Sequence, residues 1–295
     1  MIFTFAKPFQ NILDWCTQQW VVWSGTKFVP EQTPWLKTPM GKPKVTGRDY
    51  IQALCDKEGL NISPTSKHQG LITDFSNLQL DEEQLTKLPK IIRDFYEKTA
   101  SFELDLSVHW SPWFIPFNFL VKTLFSNRIQ QLNIPYSYSK STDVLNNEII
   151  HLHNKETNSL ERVFWFRTLG PKKTIVYAGI YSSCRLKSGR TSIQAVFPLP
   201  NGNATVLLSP KVTDQGKFIL TAKGNKFGDP GFYFTLQDAQ GNYWAKYIPS
   251  FKDELIMEAL HDEIIAHQKF SLWGYEVLTL RYNIYQSIGK NPPSK

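Results

Sequence analysis

The residues best suited to chemistry are arginines that alternate with aromatic side chains in strand-like segments. Arg167 shares a face with Trp165, and Tyr177 and Tyr181 lie on one face, either side of Gly179. A buried arginine among aromatic rings is costly unless it is paired. We therefore expect an inward-facing arginine to bridge to a glutamate or to meet the anionic head group of a ligand.

Arg281 presents the same choice, because it shares a strand face with Thr279 and Asn283. The candidate glutamates for either arginine are Glu254 and Glu258, and a structural ion pair is the favoured interpretation. Should the face instead line a cavity, six residues are predicted to bind the ligand: Trp165, Arg167, Tyr177, Tyr181, Tyr233 and Arg281.

The histidine pattern is weak evidence for a metal. His151 and His153 stand two apart, on one face of a strand, which suits zinc or iron if a third ligand arrives. His261 and His267 could approach each other across a hairpin. Since nothing anchors the remaining ligands, we interpret them as solvent-facing histidines and predict no metal and no cofactor.

The usual catalytic patterns do not specify a reaction. There is no GxSxG elbow, and Cys184 fits a packed small residue. Glu254 and Glu258 would stand about 13 Å apart on a strand, too far to act as a pair. The glycine-rich segment 224–231 connects strands and is interpreted as a structured loop. The catalytic residues stay unknown.

Composition limits the functional classes. The 295-residue chain has a net charge of +7, spread without the concentrated basic stripe of a nucleic-acid binder. Three cysteines without a CxxC motif predict reduced thiols in a cytoplasmic setting.

Membrane segments are predicted to be absent from the chain. The first 30 residues lack a signal-peptide pattern, and the longest apolar run, residues 113–125, is too short to span a bilayer. Peripheral membrane contact is predicted through residues 9–23 and 113–125.

The first half of the chain is predicted to be helical. Apolar residues from Phe9 to Trp23 recur at helical spacing, and a proline-rich linker follows at residues 28–44. Further helices are predicted after Thr46, after Asp81 and Pro89, and from Pro116 to Pro135. The predicted divisions are 1–45, 46–143, 144–286 and a disordered tail at 287–295.

The second half of the chain is predicted to form strands, which are separated by turn residues such as Asn201-Gly202. Eleven are predicted: 147–153, 162–168, 174–186, 192–199, 204–209, 217–222, 231–236, 243–248, 254–261, 264–270 and 275–284. Without intervening helices, a parallel sheet is excluded. The predicted fold is α+β, with a large curved antiparallel sheet or lipocalin-like barrel behind a helical N-terminal part.

Several motifs occur together along the chain, at residues 92–99, 110–112, 124–133, 165–167, 177–181, 197–202 and 227–233. As a set they resemble a family of uncharacterised bacterial proteins that includes the soluble portion of YndJ-type proteins. The resemblance covers roughly residues 46–285 and implies no activity, cofactor or site residue.

The leading hypothesis is a protein that binds a hydrophobic or amphipathic small molecule in a cavity of the sheet. One alternative is an acid–base isomerase or cyclase acting on such a ligand, with Glu254, His151 and His267 as candidates. Another is a membrane-peripheral interaction protein that uses the aromatic residues Trp15, Trp20, Trp23, Trp113, Phe114 and Phe117.

Overall fold

The structure is a computed structural model that describes residues 4–8, 10–43, 45, 47–112, 145–169 and 174–287. For residues 145–146, 169 and 174–177 it describes the backbone alone. The helix predicted between Pro116 and Pro135 and the apolar run 113–125 lie outside the described residues.

Helices begin at residues that cap them. The side chain of Asn11 accepts a hydrogen bond from the Leu13 amide (3.0 Å), and Asp81 accepts one from the Gln84 amide (2.8 Å). The predicted cap at Asp81 is therefore confirmed. The α-helices of the described residues are α1 Ile12–Ser24, α2 Gly47–Glu58, α3 Glu82–Lys87 and α4 Lys90–Glu97.

Strands make up most of the remainder. They are β1 Thr26–Phe28, β2 Leu60–Ile62, β3 Phe102–Trp110, β4 Leu145–Asn154, β5 Leu160–Leu169, β6 Thr174–Arg185, β7 Thr191–Leu199, β8 Gly202–Val212, β9 Phe218–Ala222, β10 Gly231–Gln237, β11 Tyr243–Tyr247, β12 Phe251–Leu260, β13 Glu263–Leu272 and β14 Tyr275–Gln286. Each of the eleven predicted strands coincides with one of β4 to β14. The additional strands β1, β2 and β3 come from the part predicted to be helix and linker.

All of these strands join one antiparallel sheet, in the order β2-β4-β5-β6-β7-β8-β9-β12-β13-β14-β3. The sheet divides at β8, which pairs with β10 through its first half and with β9 through its second. β10 continues to β11 and β1. A large antiparallel sheet with a few helices is thus confirmed as the architecture.

Over the described residues the sheet is open, so of the two predicted forms, a curved sheet and a lipocalin-like barrel, the curved sheet is the one observed. Its two ends approach each other where the Asn147 amide on β4 donates to the carbonyls of Thr99 (3.3 Å) and Phe102 (3.4 Å). Within the described residues, β3 and β4 share no backbone ladder. The sheet therefore curves around its concave face without completing a ring.

The helices cover both faces of the curved sheet. α2 packs Tyr50, Ile51 and Leu54 on the convex face of β4–β6, against Phe164 and Phe166. α4 places Phe95 and Tyr96 inside, at one end of the concave face. β5 is consequently buried on both faces, which explains its nearly continuous apolar sequence.

Candidate functional site

The concave face of the sheet encloses a cavity of about 350 Å³. Ten strands contribute side chains to it, because the curvature turns the same face of each strand inwards. Most of the wall is apolar, with small residues such as Ala195, Ala204 and Ala266 leaving the space that larger side chains would fill.

The two ends of the cavity differ. Phe95, Tyr96 and Leu71 are buried and close one end, where the Tyr96 hydroxyl donates to the Met257 sulfur (3.4 Å). The other end is bounded by half-buried aromatic side chains, which we call the aromatic rim: Trp110, Phe197, Phe232, Phe234, Phe251 and Phe270. The cavity therefore opens towards the rim.

A chain of polar side chains crosses this apolar wall. The Gln268 amide donates from Nε2 to both carboxylate oxygens of Asp253 (3.0 and 3.1 Å), and its Oε1 accepts from the Tyr282 hydroxyl (3.3 Å). The Arg167 guanidinium lies 3.5 Å from the Trp165 ring centroid and 5.3 Å from that of Tyr282. A cation and a carboxyl group thus stand at opposite ends of one polar path, in which a ring contact joins Arg167 to Tyr282 and hydrogen bonds join Tyr282 to Asp253.

Burial raises the pKa of Asp253 from 3.8 to about 7. The hydrogen bond from Gln268 opposes this rise, and the nearby charge of Glu254 adds to it. Burial likewise raises the pKa of Tyr282, although Arg167 lowers it in part. Near neutral pH the Asp253 carboxyl can therefore either donate or accept a proton, as an acid–base group must.

Three of the six predicted ligand-binding residues lie together in the cavity wall: Trp165, Arg167 and Tyr181. The Trp165 and Tyr181 rings contact edge to face, with centroids 5.5 Å apart. The indole of Trp165 donates to Asn147, which fixes the ring over which Arg167 lies. The alternation along β5 puts Trp165 and Arg167 on one face of that strand, and Tyr181 reaches the same wall from β6.

Tyr233 lies in a separate apolar cluster, with Trp35, Phe227 and Tyr247. Its hydroxyl donates to the Asp229 carbonyl (2.6 Å) and accepts from the Gly228 amide (3.0 Å). Tyr233 thus anchors the 224–231 loop and does not line the cavity, because on β10 its neighbours Phe232 and Phe234 face inwards.

Arg281 is exposed on the convex face, since its neighbour Tyr282 faces inwards on β14. Tyr177 pairs with Arg167 across β5 and β6, but its side chain lies outside the described part of the chain. Of the two glutamates expected as partners of Arg167 and Arg281, Glu254 pairs with Lys223 (2.5 Å) and Glu258 with Lys217.

The proposed acid–base candidates also lie outside the cavity. Glu254 forms its ion pair on the convex face, and His267 is exposed. His151 bonds to the Gly70 carbonyl (2.9 Å) and His153 to the Ser63 hydroxyl (2.5 Å). Among the described residues, no His, Cys, Asp and Glu side chains gather into a group that could hold a metal ion.

Three polar residues of the cavity wall were not predicted from the sequence: Asp253, Gln268 and Tyr282. Each alternates with apolar residues that face the cavity, as Asp253 does with Leu255 and Met257. A polar residue on the same strand face as several apolar residues was the sequence signal that could have indicated a polar group in the cavity wall.

Comparison with known proteins gives one informative match. The chain is similar to "Uncharacterized membrane protein YndJ" of Bacillus subtilis (strain 168). The two are 29% identical over 248 residues, which is 83% of this chain and 42% of YndJ. This chain therefore spans about two-fifths of the length of YndJ. No family model and no solved structure matches it.

The similarity to YndJ supports the predicted resemblance to YndJ-type proteins. That the matched part of YndJ is a soluble portion stays a prediction. In the part of the chain that the structure describes, none of the helices has the length and apolar character needed to cross a bilayer.

Proposed function

We propose that this protein binds a hydrophobic or amphipathic small molecule in the cavity of its curved sheet, in the manner of a lipocalin. The observation that carries the proposal is the cavity of about 350 Å³, whose apolar wall is interrupted by the polar path from Arg167 to Asp253. Ligand sites combine a mainly apolar wall with a few placed polar groups, and this volume lies within their usual range.

The charges in the wall favour a ligand with an anionic end. Among the described lining residues, the basic one is Arg167 and the acidic one is Asp253. The Arg167 guanidinium is a cation, whereas burial raises the pKa of Asp253 to about 7, so that about half of its carboxyl groups are neutral at pH 7. These described residues therefore carry net positive charge, which suits a carboxylate or a similar anion attached to an apolar body.

The first experiment is native mass spectrometry of the protein purified from its own host, with organic extraction of whatever co-purifies. A discrete apolar compound would support the proposal and name the ligand class. Solution binding is then measured with two fluorescent probes, cis-parinaric acid, which carries a carboxylate, and N-phenyl-1-naphthylamine, which is neutral.

Two test substitutions and one control separate the contribution of the cavity to binding from that of the ligand head group. Ala204→Phe fills space beside the aromatic rim and should abolish binding of both probes, whereas Ala239→Phe in an exposed turn should leave both unchanged. Arg167→Met should weaken cis-parinaric acid about tenfold and spare the neutral probe. If neither probe binds the wild type, or if Ala204→Phe binds both normally, the cavity is not the site.

Acid–base catalysis on the bound molecule is the second candidate, and Asp253 favours it. The carboxyl lies inside the cavity, with a pKa of about 7 and an amide that holds its orientation. Asp253 could remove a proton from one carbon or heteroatom and return it to another, as an isomerase or cyclase requires.

Catalysis is tested by incubating a lipid extract of the host with the wild type and with Asp253→Asn. Chromatography with mass detection then compares the two mixtures. A compound converted by the wild type alone, while Asp253→Asn still binds N-phenyl-1-naphthylamine, would establish turnover. Identical mixtures would leave the protein as a carrier.

A further inference from the structure

We propose that the face surrounding the aromatic rim docks on the surface of an anionic lipid bilayer, so that the ligand passes between membrane and cavity. The docking surface rests on two exposed elements, α1 and the turn between β13 and β14. The passage of ligand rests in addition on the proposed binding function.

α1 is amphipathic, but its exposed face carries large apolar residues and its buried face is partly polar. Leu13, Trp20 and Trp23 are exposed, with Trp23 71% accessible, and exposed Cys16 continues their spacing of three or four residues. Ile12, at 74%, extends this stripe at the start of the helix. An apolar stripe of this kind normally faces the core, so its exposure on α1 indicates a surface kept for contact.

The buried face of α1 is partly polar instead. The Gln19 side chain accepts from the Ala6 amide (2.9 Å), and Gln18 donates to the Pro200 carbonyl (2.8 Å). Val21 and Val22 supply the apolar part of this contact, against Leu236 of β10. The helix is thus held in place through side-chain amides and two valines, while Trp20 and Trp23 are exposed.

Two more aromatic side chains are exposed where β13 turns into β14: Trp273 in the turn, at 70%, and Tyr275 at the start of β14, at 69%. Trp273 has a φ of +51°, a left-handed conformation that bulky side chains rarely adopt and that glycine adopts freely. Its backbone amide donates to the Ser250 carbonyl (2.9 Å), next to Phe251 of the rim. A bulky aromatic residue in this position disfavours the fold locally, which points to a role outside folding.

The aromatic rim joins the two elements. Trp20 contacts Phe234 edge to face, with centroids 6.4 Å apart, and Phe234 contacts Phe232 at 5.0 Å. Phe232 in turn contacts Phe251 at 4.9 Å. Half-buried aromatic rings therefore lead from the exposed stripe of α1, past the open end of the cavity, to the turn that carries Trp273.

A bilayer fits this surface better than a protein partner does. Tryptophan and tyrosine prefer the membrane interface, where the ring is in apolar surroundings and the polar atom stays hydrated. The exposed rings project from a helix and from a turn tip on either side of an opening, so they form protrusions and not a groove for a partner helix.

The charges near α1 favour anionic lipid. Lys246 lies 5.6 Å from the Trp20 ring centroid and donates to the Ser24 carbonyl (2.8 Å). Lys7 and Lys27 flank the same helix, and the charged residue within α1 is Asp14. The local excess is positive, and basic groups near a membrane surface are attracted to anionic head groups.

Co-sedimentation of the full chain with vesicles tests the proposal. Vesicles of phosphatidylcholine are compared with vesicles that also contain phosphatidylglycerol, and the wild type is expected to bind the latter more tightly. The double substitution of Trp20 and Trp23 by serine should weaken that binding about tenfold. Leu260→Ser is the matched control, because Leu260 is 57% exposed at the end of β12, beside the turn at the opposite end of β13.

Trp273→Gly separates docking from folding. Glycine suits the left-handed position, so this variant should unfold at the same temperature as the wild type or higher, yet bind vesicles more weakly. Wild-type binding by both tryptophan variants, or an equal loss in Leu260→Ser, would overturn the docking surface. A change of oligomeric mass in the Trp20/Trp23 variant, without a change in vesicle binding, would also overturn it in favour of self-association.

The probe experiments keep the two proposals apart. If N-phenyl-1-naphthylamine binds in the cavity while vesicles do not sediment the protein, docking fails and ligand binding stands. If vesicles bind while neither probe enters the cavity, docking stands and the passage of ligand fails. If the probe moves from vesicles to the Trp20/Trp23 variant more slowly than to the wild type, the result supports passage of ligand between the membrane and the cavity.

Discussion

Asp253 makes the stability of this protein depend on pH in a direction opposite to that of most carboxylates. Its pKa rises from 3.8 to about 7 in the folded state, mainly through burial. Below about pH 4 the carboxyl is protonated in both the folded and the unfolded chain, so it contributes no difference. As the pH rises, the unfolded chain loses this proton first, and unfolding becomes more favourable.

The magnitude follows from the width of this pH window. Each unit between the two pKa values changes the free energy of unfolding by about 1.4 kcal/mol. About three units give a loss of about 4 kcal/mol by pH 7, above which this contribution is constant. Such a loss is a large fraction of the stability of an ordinary domain.

Asp253→Asn removes the titrating group and keeps an oxygen that can accept from the Gln268 amide. We expect the free energy of unfolding of this variant, minus that of the wild type, to rise by about 4 kcal/mol between pH 4 and pH 8. Urea unfolding followed by circular dichroism at several pH values measures both. Glu263→Gln, which removes an exposed carboxylate at the start of β13, controls for the loss of one negative charge.

A difference between Asp253→Asn and the wild type that stays constant with pH would refute this reasoning. It would mean that water or a relaxed conformation solvates the carboxylate, so that burial does not hold the proton. An equal pH dependence in Glu263→Gln would assign the effect to net charge instead of the cavity.

Further predictions concern other parts of the molecule. Gln268→Leu removes the donor that stabilises ionised Asp253, and so raises the pKa of Asp253 further. The pH range over which the free energy of unfolding falls should therefore extend to higher pH in urea titrations. Gly70→Ala places a Cβ 2.2 Å from backbone at the end of α4 and should destabilise the fold by about 1–3 kcal/mol in the same assay. Burial raises the pKa of the Cys184 thiol to about 12, so a thiol-specific reagent at pH 8 should label exposed Cys16 first, as peptide mapping would show.

The strands were largely predictable because their signals are local. Alternating apolar residues and turn dipeptides located the eleven strands from β4 to β14, and strictly sequential pairing follows for most of them. β3 carried the same signal, with Phe102 and Leu104 buried between exposed neighbours. It was missed because it stands alone among helices, and its partner β14 lies far along the chain.

The tertiary structure, and not the local sequence, determines which face of a strand points into the cavity. On β14 the sequence offers both the face of Arg281 and that of Tyr282, and alternation alone treats them as equals. The curvature of the whole sheet turns Tyr282 inwards and leaves Arg281 exposed. On β5 the curvature turns Arg167 and Trp165 inwards, so the same alternation leads to opposite results for the two arginines.

The sequence by itself determined the strand content, the turns and several helix starts, because these depend on neighbouring residues. The tertiary structure alone decided the open curvature, the division of the sheet at β8 and the polar path. That path joins Arg167, Asp253, Gln268 and Tyr282 from four different strands. The proximity of these four side chains depends on the register between strands that are distant in sequence. No local pattern encodes the distance between residues on separate strands.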